Sequence, residues 1–170
     1  SYLDKQYMLG DSLLVAPIFN DESKAIYYLP EGTWTHYLTG EVKEGGKWYE
    51  EHCGYLSIPV FARENSLIAV GQEKMKPDYD YAENVEIRAY SLTDSGKAAT
   101  FVCGMDKQVE TTVLAGKNGD KVEIQVQAKK PCSIVLVNET AKDVQGAEYQ
   151  IKENDTVIRC AGNAQITVTL

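Results

Sequence analysis

The sequence predicts an all-β chain made of two consecutive antiparallel β-sandwich domains, preceded by a short remnant of a helix. Short apolar or alternating runs follow one another along nearly the whole chain after Asp11. Turn residues separate these runs, and a helical period is found only at the start. Short strands at this spacing, with turns rich in glycine, asparagine and aspartate, are typical of a sandwich.

The first predicted element is the end of a helix that leads into a strand. Leu3 and Tyr7 stand roughly one helical turn apart, and Gly10 follows where a glycine often ends a helix. The apolar run over residues 12–18 then predicts a buried strand. Because a domain rarely begins on an unfinished helix, we assign residues 1–10 to a helix end and predict that the chain is the C-terminal piece of a larger protein.

Residues 11–76 are predicted to form the first sandwich. A hairpin is expected over residues 24–38, with further strands over residues 47–51 and 66–70. Aromatic residues concentrate in this part, since only Tyr90, Phe101 and Tyr149 follow Tyr81. A polar, proline-containing segment over residues 72–80 indicates a linker, so we place the domain boundary near residue 76.

Residues 77–170 are predicted to form the second sandwich, with seven or eight strands. Val122, Ile124, Val126 and Ala128 alternate with polar residues, as in a strand with one solvent-exposed face. Turn signals such as the one over residues 117–120 separate the strands.

The composition excludes several classes of partner. The formal net charge of -8 argues against nucleic acid and against an anionic membrane surface. No run approaches the roughly 18 apolar residues of a transmembrane helix, and no signal-peptide pattern opens the chain. We therefore predict neither a nucleic-acid nor a membrane partner.

The four cysteines form no metal-binding pattern. Cys53, Cys103, Cys132 and Cys160 include no C-x-x-C pair, and no histidine stands at ligand spacing from them. Their even number allows disulfides, but the pattern favours buried free thiols in a reducing compartment, and hence a cytoplasmic location. No metal site or cofactor is predicted.

No catalytic residue can be assigned. His36 alternates with Trp34 and Leu38, which favours a packed, hydrogen-bonded histidine over a catalytic base, and His52 has no recognisable partner. Asp11, Asp94 and Asp155 each lie beside turn residues, which favours turn or capping roles. The acidic loop over residues 78–80 lacks the ligand spacing of a calcium loop.

Five aromatic residues of the first half could instead form a sugar-stacking platform. They are Trp34, Tyr37, Trp48, Tyr49 and Tyr55. The two tryptophans stand at strand starts beside turn signals, which favours packing in the core or between domains. We assign no substrate-binding residue.

The first half also resembles a known family. The segments that carry the resemblance are QYMLGDSLLVAP (6–17), YLPEGTWTH (28–36), LTGE (38–41), GGKW (45–48), LSIPV (56–60), RENSLI (63–68) and KPDY (76–79). In this order they resemble the region after the catalytic barrel of glycoside hydrolase family 31, most closely its α-xylosidase branch. The resemblance is weaker in the second half, where only the strand pattern remains.

The resemblance implies a function for the whole protein and a non-catalytic role for this part. The family carries its nucleophile and its acid/base as barrel aspartates, and neither motif occurs here. The chain is thus expected to be the C-terminal region of an α-xylosidase/α-glucosidase-like enzyme that cleaves terminal α-linked xylose or glucose from oligosaccharides. It would support the barrel, its missing partner, with residues 1–10 ending the last barrel helix, and would meet oligosaccharide only through the parent enzyme.

A self-contained carbohydrate-binding module remains the alternative. A scaffold should leave a broad apolar patch near residues 13–18 and the aromatic hairpin. A binding module should show aromatic rings in a row on a polar face. Self-association as a homo-oligomer is left open.

Overall fold

The computed structural model describes residues 5–18, 20, 23–54, 57–72 and 79–170, and these residues contain strands and turns but no helix. The all-β prediction is confirmed. The chain divides into two compact units, Ser1–Glu64 and Asn65–Leu170. The strands of the first unit are β1 (Tyr7–Leu9), β2 (Leu13–Val15), β3 (Lys24–Leu29), β4 (Thr33–His36), β5 (Val42–Glu44), β6 (Lys47–His52) and β7 (Val60–Arg63). The strands of the second are β8 (Ser66–Val70), β9 (Glu86–Tyr90), β10 (Lys97–Cys103), β11 (Val109–Asn118), β12 (Lys121–Ala128), β13 (Cys132–Val137), β14 (Asp143–Gln145), β15 (Glu148–Lys152), β16 (Asp155–Cys160) and β17 (Ala164–Thr169).

The first unit combines a five-stranded sheet, in the order β1-β2-β7-β4-β5, with the antiparallel pair β3-β6. Its core consists of large side chains from both sheets, including Leu14, Tyr27, Leu29, Trp34 and Phe61. The rings of Tyr27 and Phe61 lie 5.1 Å apart between centroids and join the two sheets. The predicted strand within residues 12–18 is confirmed as β2.

The predicted helix end over residues 1–10 is wrong where the structure describes it. Residues 7–9 form β1, which pairs antiparallel with β2 in the register Tyr7 to Val15 and Leu9 to Leu13. Gly10, with φ of 64°, opens the turn between the two strands. A glycine with positive φ suits a hairpin turn as well as a helix end, so the sequence signal was ambiguous. Residues 1–4 lie outside the described residues.

The second unit is a sandwich of two five-stranded sheets, in the orders β10-β11-β12-β17-β14 and β15-β16-β13-β9-β8. The alternation predicted for β12 is confirmed, since Val122, Ile124 and Val126 are buried while the residues between them face solvent. The pair β9–β13 is parallel, so the second sandwich is not purely antiparallel. Between these two strands the chain builds β10, β11 and β12 in the other sheet, and a parallel pair requires such a crossover.

The placement of one strand differs from the sequence interpretation. We expected residues 66–70 in the first sandwich, but β8 pairs with β9 in a sheet of the second unit, with Leu67 opposite Ala89. A short apolar strand can complete either sheet, so its pattern does not specify the partner. The proposed linker core, residues 73–78, lies outside the described residues.

Candidate functional site

The candidate platform rings that the structure describes do not all lie on one face. Trp34 is fully buried, its indole Nε1–H donates to the Pro30 carbonyl at 2.8 Å, and the Arg63 guanidinium lies 5.4 Å from its ring. Tyr49 stacks on the core residue Tyr27 at 5.7 Å. The packing interpretation is therefore confirmed for these two rings, and Tyr55 lies outside the described residues.

Trp48 is the exception among these aromatic residues. It is 50% exposed, and its ring meets that of Tyr28, its direct partner across β3 and β6, at 5.4 Å and a tilt of 55°. Ile26, next but one to Tyr28 along β3, is 37% exposed. Two rings and one aliphatic side chain thus form a small apolar surface on the outside of the β3–β6 pair. The hairpin predicted over residues 24–38 is wrong, because β3 pairs with β6 while β4 pairs with β5 and β7 in the other sheet. A turn between two apolar strands can connect two sheets as well as two paired strands, so its residues did not specify the partner.

The apolar patch expected near residues 13–18 is wrong, because Leu14, Val15 and Ala16 are buried in the core of their own unit. The second apolar surface is the β1 edge instead, which we define as Tyr7, Met8 and Leu9. These side chains are 53%, 41% and 59% exposed, so both faces of the strand are open. β1 is also the terminal strand of its sheet, with β2 as its single neighbour. Exposed apolar edge strands are typical sites of association, because unpaired backbone groups and apolar area lie side by side.

The β1 edge is tied to the β3–β6 pair by one side chain, that of Gln6. The Gln6 amide donates to the Tyr28 carbonyl at 2.9 Å and accepts from the Tyr28 N–H at 2.7 Å. These bonds satisfy the backbone of Tyr28 on that side, much as a neighbouring strand would. The contact between Gln6 and Tyr28 therefore joins the segment just before the β1 edge to the strand that carries the other apolar surface.

A buried ion pair lies within the first unit. The Lys43 side chain is 8% exposed, pairs with Glu51, and approaches Glu41 at 3.6 Å. Its ammonium lies 5.0 Å from the Tyr49 ring centre, which adds a cation–π contact. Sequence reasoning missed this lysine, because a charged residue between Val42 and Glu44 in a short strand gives no burial signal.

His36 is a packed histidine, as predicted. Its ring is buried edge-on against Phe61 at 5.0 Å, and Nδ1 accepts from the N–H groups of Leu38 and Thr39 at 3.3 Å. Burial, reinforced by the Lys43 ammonium, lowers the pKa of His36 below its ordinary value. The lowered pKa favours the neutral imidazole, and its Nδ1 already accepts hydrogen bonds from the turn. His36 therefore stabilises the turn. His52 lies exposed at the end of β6.

The local turn or capping role predicted for Asp94 and Asp155 is wrong, because each accepts from a backbone N–H group far along the chain, 25 residues away for Asp94 and 17 for Asp155. Asp94 accepts from the Gly119 N–H and Asp155 from the Asn138 N–H, both at 2.8 Å, and Asp11 lies in the turn after β1. In the acidic loop, Asp80 pairs with Lys130 and accepts from the Ala82 N–H at 3.1 Å. The hydrogen bond from Lys130 holds the pKa of Asp80 below its usual range.

All four cysteines are free thiols, three of them buried and Cys103 partly exposed. Cys132 and Cys160 are opposite each other in the β13–β16 pair, and the hydrogen bond with Cys132, together with burial, raises the pKa of Cys160. Among the described residues, no three histidine, cysteine, aspartate or glutamate side chains are grouped to hold a metal ion. The same residues include no helix long and apolar enough to cross a membrane.

Comparison with known families places both halves of the chain. The model described as glycosyl hydrolase family 31 C-terminal domain matches residues 1–68. The model described as α-xylosidase YicI, C-terminal domain, matches residues 80–170, more than half of the chain. The chain therefore belongs to glycoside hydrolase family 31, as part of the C-terminal region of its α-xylosidase group.

Individual proteins agree with this assignment. The α-xylosidase XylQ of Lactiplantibacillus pentosus is 32% identical over 168 residues, which cover 97% of this chain and 20% of that protein. An α-xylosidase of Emericella nidulans is 30% identical over 162 residues, 89% of this chain and 19% of that protein. The chain thus spans about a fifth of these curated relatives.

A solved structure supports the fold. The cycloalternan-forming enzyme of Listeria monocytogenes superposes with a TM-score of 0.86 at 21% identity, over 98% of this chain and 19% of that one. At this identity the likeness concerns the fold alone.

Proposed function

We propose that the chain is a non-catalytic support region of an α-xylosidase-like or α-glucosidase-like enzyme whose whole protein removes terminal α-linked xylose or glucose from oligosaccharides. The carrying observation is that two C-terminal family matches span the chain, while the chain covers about a fifth of its curated relatives. Catalysis then belongs to the remaining four fifths of such a protein. In this role, the oligosaccharide substrate is held and cleaved by the rest of that enzyme.

The β1 edge supports the scaffold role. Three consecutive large side chains stand open on both faces of an edge strand, an arrangement that a chain meant to stand alone would avoid. Covering apolar area stabilises an assembly by roughly 25 cal/mol per Å². We propose the catalytic barrel of the same protein as the cover. A second copy of the chain would take its place when the barrel is absent.

The described residues favour inactivity of the chain by itself. His36 is a buried acceptor, and His52 is exposed at the end of β6. Asp94 and Asp155 accept from backbone N–H groups, and Asp80 pairs with Lys130. A retaining or inverting glycosidase needs two carboxyl groups about 5 to 9.5 Å apart across the scissile bond. We propose that no such pair operates here.

The carbohydrate-module alternative finds little support in the first unit. A stacking platform would place its rings in a row, but Trp34 and Tyr49 belong to the core. Among the described residues of the first unit, Tyr28 and Trp48 alone meet at the surface of the β3–β6 pair. The free thiols favour a reducing, cytoplasmic location, which we retain as part of the proposal.

The deciding experiment is to sequence the gene upstream of Ser1 and to assay both products. We expect an upstream barrel with two pocket aspartates, a complete protein that hydrolyses aryl α-xylosides or α-glucosides, and a 170-residue chain that does not. A natural start codon at the chain, with no barrel before it, would overturn the proposal. So would turnover that follows the isolated chain through purification.

A further inference from the structure

The outer face of the second unit carries an open groove of about 580 Å³. It lies on the strands β10, β11, β12 and β17, over the side chains that alternate with the buried core positions. A volume between about 300 and 1,000 Å³ is usual for sites that take small ligands. The groove therefore has room for a few sugar rings.

The lining of the groove includes a glycine. Gly116 lies inside β11, between its cross-strand partners Lys97 and Glu123. Its φ is not positive, and an added Cβ would meet only the Gly96 carbonyl oxygen at 3.7 Å and the Lys97 Cγ at 3.8 Å, which are ordinary contacts. Glycine within a strand weakens the strand. Nothing in the fold requires a glycine at this position. Close approach of a ligand to the backbone would require one.

The side chains beside Gly116 suit a ligand rich in hydroxyl groups. Gln125 and Gln165 are direct cross-strand partners, and Glu123 is on the same outer face as Gln125. Within the described residues, none of these three side chains makes a hydrogen bond or an ion pair. Each amide offers both donors and an acceptor, and the carboxylate offers acceptors, so neighbouring sugar hydroxyls would find complementary groups.

The groove also has an apolar part and a mixed charge. Leu114, the cross-strand partner of Gln125, is 47% exposed and offers a surface for the C–H face of a sugar ring. Lys97 and Lys121 lie in the same groove as Glu123, while Lys117 is engaged by Glu139 at 3.3 Å. A site for an anion would not place a free carboxylate at its centre, since like charges repel.

We propose that this groove, centred on Gly116 and flanked by Gln125 and Gln165, binds a neutral oligosaccharide. This site goes beyond the support role, which requires nothing of the outer face of the second unit. It would hold a sugar chain by hydrogen bonds and one aliphatic contact rather than by stacked rings.

The test is a titration of the ¹⁵N-labelled 170-residue chain with isomaltotriose, followed by backbone and side-chain amide shifts. We expect saturable shifts confined to Gly116 and to the amides of Gln125 and Gln165. Gly116→Val places a branched side chain at the centre of the groove, and its Cβ makes only ordinary contacts, so it should abolish these shifts and leave the melting temperature equal or higher. Gln125→Ala should weaken binding about tenfold, as expected for the loss of hydrogen bonds to a ligand.

The matched control is Gln150→Ala, because Gln150 is a partly exposed glutamine in β15 of the opposite sheet. It should leave the titration unchanged. Four outcomes would overturn the proposal: no shifts at tens of millimolar sugar, shifts centred on Trp48, undiminished shifts in folded Gly116→Val, or displacement of the sugar by inorganic phosphate. None of them bears on the upstream gene sequence, so the support role stands or falls separately.

Discussion

Two buried threonines in the second unit allow a sharp test of its hydrogen bonding. Thr111 and Thr156 are both 0% exposed. The Thr156 hydroxyl accepts from the Ala141 N–H at 2.8 Å and donates to the Glu139 carbonyl at 2.7 Å, which fixes the 139–141 loop on β16. The Thr111 hydroxyl has no hydrogen-bond partner among the described residues. The same change, threonine to valine, should therefore have opposite effects.

Thr156→Val keeps the side-chain volume but removes both bonds. Loss of one hydrogen bond costs about 1 kcal/mol, and leaving the Ala141 N–H unpaired adds about 1 to 3 kcal/mol, so the free energy of unfolding should fall by about 2 to 4 kcal/mol. Thr111→Val removes a hydroxyl that has no partner, so stability should stay equal or rise by up to about 1 kcal/mol. Thr156→Ser retains the hydroxyl and should lose only about 1 kcal/mol, for the missing methyl group.

The assay is urea unfolding, with NMR signals of the buried methyl groups of Ile124 and Ile134 as reporters of the second unit. Both tryptophans, Trp34 and Trp48, belong to the first unit, so their fluorescence serves as an internal control. Equal destabilisation by Thr156→Val and Thr111→Val would refute the hydrogen-bond argument. It would show that the two sites respond to side-chain shape alone.

Three further predictions concern the first unit and the thiols. Met8→Lys should reduce the concentration-dependent light scattering of the chain without lowering its melting temperature. Leu38→Lys is the control, because it changes a side chain that is 60% exposed outside the β1 edge, and it should leave the scattering unchanged. Equal effects of the two variants would show that the β1 edge is not the contact. Cys103 should react with a thiol reagent in the native chain, and the other cysteines only on unfolding; simultaneous reaction of all four would contradict their burial. Because burial depresses the pKa of His36, the unfolded chain binds its proton more readily, so stability is present above the ordinary pKa of 6.5 and falls as the pH drops below it. His36→Asn keeps an acceptor for the turn and should remove this pH dependence in urea titrations, and an unchanged profile would point to another group.

Elements with a strong period were predictable from the sequence. The alternation in β12 gave both its extent and its buried face, because one sheet face meets the core and the other meets water. The packed role of His36 followed from neighbouring turn residues, because the bonds that Leu38 and Thr39 donate to its Nδ1 are local. These features depend on a few adjacent residues.

Features that depend on distant partners were not predictable. Gly10 supports a hairpin only because β1 finds β2, and four-residue spacing fits a strand face as well as a helix. Burial of Lys43 requires Glu51 from another strand. The groove around Gly116 requires β10 and β12 on either side of β11, and β17 beyond β12.

The pairing of β8 with β9 has a practical consequence for dissecting the protein. The first family match ends at residue 68, inside β8, and the second begins at residue 80. A fragment that begins at residue 80 would lack β8, so the edge of β9 at Ile87 and Ala89 would have unpaired backbone groups. Such an exposed edge favours pairing with another molecule. A cut before Asn65 keeps the sheet whole. Domain exchange between relatives should therefore be made before Asn65. An exchange made at residue 68, where the first family match ends, would replace only part of β8.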